Sequence, residues 1–197
     1  FAEYVEGGSL KDWINSKRLY EGGPQQALAR ILDIAIQFAW GLHGLHQLGV
    51  VHQDVKPGNV LMADGGTVAV QGVRPMVSDF GLARARMHTT DGGSISPDLA
   101  PDQQSVLLSF GGMTPAYASP EQRAREFLSR KTDIWSWGVS VFDMFTGDVS
   151  CRYGGHIAAD ILDSFIENGQ QEDSLPEMPG DVADLLRKCF SHEQAER

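Results

Sequence analysis

Residues 133–146, DIWSWGVSVFDMFT, are apolar on nearly every face of a helix, and Gly147 follows them. Such a helix is buried on all sides, because no face carries enough polar side chains to be solvated. Glycine just after the last turn is a common helix terminator. The remaining chain must wrap around this helix. We therefore expect it to be the central element of one domain, since 197 residues with 42% hydrophobic content suit a single sizeable core.

Three further helices are predicted from apolar residues that recur at steps of three and four. The longest covers residues 24–48, with Gly49 as its terminator. Two shorter amphipathic segments cover residues 157–166 and 182–190. The chain should therefore be mainly α-helical.

A small β-hairpin is predicted between the long helix and the buried helix. Apolar residues 60–62 lead to a glycine-containing turn at 64–66, and alternating residues 67–70 return as the second strand. Residues 71–75 then form a bulge or extension. The following segment, residues 84–112, is rich in Ser, Thr, Asp, Gly, Pro and Gln and has no periodicity, so it is predicted to be a long functional loop.

Composition excludes some kinds of partner. The formal net charge of -10 argues against nucleic acid and against an anionic membrane surface, because both require clustered Lys and Arg. The tryptophans are accordingly predicted to be packing residues rather than a base-stacking platform. No stretch has the length of a membrane span. The cysteines, Cys151 and Cys189, are far apart, so a reducing, cytoplasmic location is the default expectation, although a parent protein could be membrane-attached.

Two polar loops carry the residue types that phosphoryl transfer requires. Residues 52–59, HQDVKPGN, bring a carboxylate, an ammonium and a carboxamide into one tight loop. These groups can orient a hydroxyl, stabilise a migrating phosphoryl group and bind Mg²⁺. Residues 78–84, SDFGLAR, follow a strand-like stretch and supply a second acidic group. Either loop alone is weak evidence.

The order of these motifs resembles the eukaryotic-type protein kinase domain of the serine/threonine class. HQDVKPGN is similar to the catalytic loop, SDFGLAR to the magnesium loop, and residues 112–121, GMTPAYASPE, to the end of the activation segment. FAEYVEGGSL at the start resembles the hinge between lobes, and DIWSWG the start of the buried helix. The resemblance covers the whole chain. It implies the large C-terminal lobe of such a domain, mainly α with a small hairpin, within an α+β complete domain.

The resemblance assigns catalytic roles residue by residue. Asp54 would accept or orient the substrate hydroxyl, and Lys56 would contact the γ-phosphate of ATP. Asn59 and Asp79 would hold the Mg²⁺ ions. Thr114 would hydrogen-bond toward Asp54 and Lys56, as in serine/threonine kinases. The implied reaction transfers the γ-phosphoryl group of ATP to Ser or Thr of a protein substrate.

The resemblance also assigns an adenine site. The backbone groups of Glu3 and Val5 would contact adenine, and Leu61 would pack beneath the ring.

Structural roles follow for five other positions. His52 and Phe80 would stack in the hydrophobic column that links the lobes, and Asp133 would brace the catalytic loop through its backbone amides. Glu121 and Arg197 would form a buried ion pair. Loss of one partner of such a pair costs roughly 3 to 5 kcal/mol.

Two departures from the family pattern leave alternatives open. Gln53 stands where the family usually has an Arg that pairs with an activation-loop phosphate, which puts activation by phosphorylation in doubt. The chain also opens at Phe1 on the hinge, after the positions of the Gly-rich loop and its lysine. We therefore expect residues 1–197 to be a partial domain, hinge and C-lobe without the N-lobe, that turns over little by itself. The alternatives are an active serine/threonine kinase and a catalytically silent, pseudokinase-like binding module.

Overall fold

The computed structural model describes residues 5–64, 72–80, 84–85, 114–148, 157–169 and 172–197, with residues 84–85 described by their backbone alone. Within these ranges the chain forms α-helices and two small antiparallel sheets. The helices are α1 (Leu10–Asn15), α2 (Pro24–Gln47), α3 (Pro120–Ala124), α4 (Arg130–Thr146), α5 (Ala158–Asn168) and α6 (Gly180–Cys189). The strands are β1 (Val50–Val51), β2 (Val60–Asp64), β3 (Val73–Val77) and β4 (Arg84–Ala85). The prediction of a mainly helical fold with a small sheet is confirmed.

Helix α4 is the buried centre of the core, as its sequence predicts. Its polar residues are buried with partners: Ser136 donates to the carbonyl of Tyr117 at 2.8 Å, and Tyr117 donates to the Asp143 carboxylate at 2.7 Å. The helix begins at Arg130, three residues before the predicted start, because Ser129 accepts a hydrogen bond from the backbone at Lys131. It ends at Thr146 and is followed by Gly147, whose φ of 71° favours glycine.

Helix α2 packs its apolar stripe against α4 and against β3. The buried side chains recur at helical spacing and are Ala27, Ile31, Ile34, Ala35, Phe38 and Leu42. Pro24 occupies the first turn, where its missing N–H costs nothing. The helix predicted from the three- and four-residue steps is thus confirmed.

The second strand of the predicted hairpin is placed wrongly by the sequence. Strand β2 pairs with residues 73–77, so residues 73–75 belong to a strand and not to a bulge. Pro75 lies opposite Met62 in this ladder. Proline disfavours a strand prediction because it lacks a donor, but a two-stranded sheet has only edge strands, where that loss is tolerated. Residues 65–71, which include the predicted return strand, lie outside the described part.

Helices α5 and α6 lie near their predicted positions, and both contribute buried residues to the core. Gly138 of α4 makes a close helix–helix approach possible, since a Cβ there would lie 2.8 Å from the Cβ of Cys189. Trp135 and Trp137 pack as predicted, with Trp135 fully buried. The packing prediction is wrong for Trp40, whose side chain is 68% exposed. No helix of the described residues is both long and apolar enough to cross a bilayer.

Candidate active site

The loop after β1 carries the first group of site residues and is held in a strained conformation. Gln53 has φ 69°, which a residue with a side chain rarely adopts. Buried Asp133 at the start of α4 fixes this shape, because its two carboxylate oxygens accept the backbone N–H groups of His52 at 2.8 Å and Gln53 at 2.9 Å. The predicted brace is confirmed. Strain of this kind is tolerated where surrounding contacts over-determine it, which is common at functional sites.

Three predicted site residues converge on the carboxylate of a fourth, Asp54. Lys56 Nζ lies 2.6 Å from Asp54 Oδ2 and 2.7 Å from Thr114 Oγ1. Thr114 Oγ1 in turn donates to Asp54 Oδ1 at 2.9 Å, and Asn59 Nδ2 donates to Asp54 Oδ2 at 3.0 Å. Thr114 lies 60 residues from Asp54 in sequence, so this cluster exists only in the folded chain.

The cluster combines a buried acid with a partly accessible cation. The side chain of Asp54 is 8% exposed and that of Lys56 is 24% exposed. The ammonium offsets the cost of burying the carboxylate, and the Thr114 hydroxyl fixes the direction of both groups. The arrangement can hold a hydroxyl-bearing ligand against the carboxylate with a cation beside it.

Ser78 and His52 join the second loop to the first. Ser78 donates to the carbonyl of Asn59 from its backbone N–H at 2.9 Å and from its hydroxyl at 3.1 Å. His52 Nε2 lies 3.0 Å from the carbonyl of Ser78, and the His52 ring contacts the Phe80 ring at a centroid distance of 5.5 Å, as predicted. Asp79 lies between Ser78 and Phe80 in the chain, with an exposed side chain and a φ of 60°.

Asn59 presents an oxygen suited to a hard cation. Its Nδ2 is committed to the carbonyl of Asp54 at 2.8 Å and to the carboxylate, so its Oδ1 must point away from them. No described residue donates a hydrogen bond to that Oδ1. A carboxamide oxygen, as in Asn59, and a carboxylate, as in Asp79, are ligands that Mg²⁺ prefers. The donor set therefore fits the expected ion.

The predicted adenine residues fall partly within the described chain. Half-buried Leu61 lies in β2 and forms an antiparallel bridge with Ser9, and Met62 donates to the carbonyl of Gly8 at 2.9 Å. The segment that begins at half-buried Val5 therefore runs alongside β2. Glu3 lies outside the described residues.

The predicted ion pair between Glu121 and Arg197 is confirmed. The contact is bidentate, at 2.7 and 2.9 Å, and the side chains are 2% and 0% exposed. Burial alone would raise the pKa of Glu121, but hydrogen bonds from Arg197, from its own backbone and from Thr132 outweigh burial and hold the pKa below its ordinary value. This pair anchors α3, which follows the loop that contains Thr114.

Sequence reasoning missed two residues that support the site. His46 Nε2 lies 2.8 Å from Asp133 Oδ2, although the two residues are 87 positions apart in the sequence. Gln122 Nε2 donates to the carbonyl of Gln53 at 2.7 Å. No local pattern signals either contact. The Gln53 side chain itself is buried, and its Nε2 has no partner among the described residues.

Comparison with known proteins agrees with this geometry. The sequence matches the protein kinase domain family over residues 1–197, and the chain belongs to that family. It is similar to a serine/threonine-protein kinase of Corynebacterium efficiens, drp72, with 34% identity over 75% of this chain and 24% of the relative. It is also similar to the probable serine/threonine-protein kinase CPE1738 of Clostridium perfringens, with 30% identity over 99% of this chain and 24% of the relative.

A yeast protein extends the comparison to eukaryotes. Serine/threonine-protein kinase TOS3 of Saccharomyces cerevisiae is 29% identical over 99% of this chain and 35% of the relative. The chain thus spans about a quarter to a third of the length of these curated relatives.

Proposed function

We propose that this chain contributes the catalytic loop of an active protein serine/threonine kinase, which transfers the γ-phosphoryl group of ATP to Ser or Thr hydroxyls of a protein. The observation that carries the proposal is the contact of Lys56 Nζ with both the Asp54 carboxylate and the Thr114 hydroxyl. A silent binding module has no physical need for this arrangement. The serine/threonine relatives support the same class of acceptor.

In the proposed reaction, the Asp54 carboxylate accepts the hydrogen bond of the substrate hydroxyl and directs its oxygen at the γ-phosphorus. A bond forms between that oxygen and phosphorus as the bond to the β–γ bridging oxygen breaks, and ADP leaves. The proton of the hydroxyl group passes to the Asp54 carboxylate. Lys56 stabilises the charge on the transferred group, and the Thr114 hydroxyl holds the Lys56 and Asp54 side chains in position relative to each other.

Asn59 Oδ1 and the Asp79 carboxylate would hold Mg²⁺, which neutralises the triphosphate charge when bound. Leu61 would pack beneath adenine, with the backbone of Glu3 and Val5 along its edge. The assignment of residues 1–197 to a hinge and large lobe, and the cytoplasmic location, stay predictions.

The test measures phosphate transfer from ATP-Mg to a Ser/Thr protein by the complete polypeptide that contains these residues. Asp54→Asn and Asp79→Asn are compared with Asp184→Asn, a matched exposed control on α6. Removal of the hydroxyl-orienting carboxylate should lower the rate at least about 100-fold. Asp79→Asn should lose activity in a manner that excess Mg²⁺ partly restores, and the control should retain the original rate.

Equal incorporation by the Asp79→Asn variant and the original protein would remove the catalytic assignment. The alternative of a pseudokinase-like binding module, which the sequence supports by Gln53 and by the expected lack of the N-lobe, would then remain. Thermal unfolding of each variant separates lost chemistry from lost folding.

A further inference from the structure

A concave surface lies where the end of α5 meets the segment that leads to α6. It encloses about 410 Å³, within the range of roughly 300 to 1,000 Å³ that is usual for binding pockets. Apolar side chains that line it are Phe165, Ile166, Leu175 and Met178. It shares no lining residue with the site around Asp54. We call this surface the acidic groove.

The name reflects the charge of its edge. Glu172, Asp173 and Glu177 line the groove, all three are exposed, and no lysine or arginine among the described residues lines it. Glu172 has a partner, since it forms an ion pair with Lys17 at 3.2 Å. Asp173 and Glu177 form no ion pair within the part of the chain that the structure describes. The rim therefore carries two uncompensated negative charges above an apolar surface.

The apolar wall of the groove is partly open to solvent. Ile166 is 39% exposed although it stands on the same helix as fully buried Leu162, and Phe165 is half-buried. Helix α5 ends at Asn168, Gly169 follows it with φ 70°, and Ile166 in the last turn of the helix is exposed within the described part of the chain. An apolar side chain of a partner would gain hydrophobic burial here without displacing a described side chain.

We propose that the acidic groove binds a segment of a protein partner in which apolar side chains are flanked by arginine or lysine. The apolar side chain would enter between Ile166 and Met178, while the basic residues would pair with Asp173 and Glu177. Charge complementarity favours this occupant over an acidic segment, an RNA or an anionic membrane, all of which the rim and the net charge of -10 repel. The proposal does not depend on phosphate transfer.

The test uses the complete polypeptide and a fluorescein-labelled synthetic peptide with two leucines flanked by arginines, followed by fluorescence anisotropy at physiological salt. The double variant Asp173→Lys/Glu177→Lys should raise Kd at least about fivefold, because it replaces two attractive exposed pairs with repulsive ones. Ile166→Ser should raise Kd by a similar factor. The control Glu126→Lys/Glu193→Lys makes the same change in net charge at exposed positions outside the groove and should leave Kd within about twofold.

Two counterpart peptides make the test specific. Replacing the arginines by glutamates should abolish binding, and replacing the leucines by serines should weaken it at least about fivefold. Equal weakening by both double variants, equal binding of any counterpart peptide, or no saturable binding would overturn the proposal. Asp79→Asn should bind the peptide normally, so failure of the groove and failure of the proposed catalysis are separate results. Circular dichroism checks folding, and the exposed charge variants keep the test valid if Ile166→Ser unfolds.

Discussion

The buried ion pair between Glu121 and Arg197 allows a quantitative prediction about stability. Replacing Arg197 by Met removes the bidentate contact but keeps most of the side-chain volume. Glu121 then keeps one side-chain donor, the Thr132 hydroxyl at 2.9 Å. Because the Glu121 side chain is only 2% exposed, water cannot replace the lost guanidinium.

The expected loss in the free energy of unfolding is about 3 to 5 kcal/mol, the usual cost of stranding a buried charge. Arg197 also donates to the carbonyl of Ser191 at 2.7 Å and lies 4.9 Å from the centre of the Trp135 ring. These contacts place the expected value in the upper half of that range. Arg197→Met should lower the free energy of unfolding without impairing catalysis. Phosphate transfer should therefore be preserved below the unfolding transition.

The assay is urea-induced unfolding followed by tryptophan fluorescence, applied to Arg197→Met, Glu121→Leu and the double variant. The double variant contains no unpaired charge, so its loss should be about 2 kcal/mol smaller than the sum of the single losses. Additive losses, or a loss below about 1 kcal/mol for Arg197→Met, would refute the argument that the stranded carboxylate dominates.

The pH dependence supplies an independent check on the same pair. The folded pKa of Glu121 is lowered, so its contribution to stability is fully present above the ordinary glutamate pKa and is lost as the pH falls through the folded value. In Arg197→Met, burial instead raises the pKa of Glu121, and protonation relieves the stranded charge. The stability difference between the original protein and Arg197→Met should therefore narrow as the solution becomes acidic. A difference that stays constant would contradict this assignment.

Further predictions concern packing, thiol chemistry and regulation. Gly138→Ala should destabilise the protein by about 1 to 3 kcal/mol through overpacking. Gly44 lies inside α2, and a Cβ added there would have no neighbouring atom within 4 Å, so Gly44→Ala should stabilise the protein by up to about 1 kcal/mol. Urea unfolding measures both changes. Burial raises the pKa of Cys189 to about 11, so a variant that keeps it as its single cysteine should react with iodoacetamide at neutral pH only after unfolding. Phosphatase treatment should leave phosphate transfer unchanged, because Gln53 cannot pair with a phosphate; a large loss of activity would contradict this. Asp133→Asn should lower kcat, since one acceptor for the catalytic-loop amides is weakened, and an unchanged kcat with lowered stability would assign Asp133 a purely structural role.

Much of the helical framework could be predicted because its signals are local. The apolar stripe of α2 and the uniformly apolar surface of α4 depend on residue spacing along a single segment. They can therefore be recognised without knowing which other segments pack against them. The polar loops were likewise located by their residue types, and the contacts of Asp54, Lys56 and Thr114 agree with the family resemblance. Helix ends were less exact, since capping by Ser129 extended α4 beyond its apolar run.

The remaining features depend on which distant segments meet. Pro75 lies in a strand only because β2 is available to pair with it. His46 reaches Asp133 across 87 residues, and neither position carries a pattern that marks the partner.

The amino-acid sequence by itself determined the helices, the order of the chemical motifs and the family, because these are written in short-range spacing and residue type. Only the tertiary structure decided the strand register, the brace on Asp133 and the open apolar wall beside Ile166, since burial and pairing are properties of surfaces that the folded chain brings together.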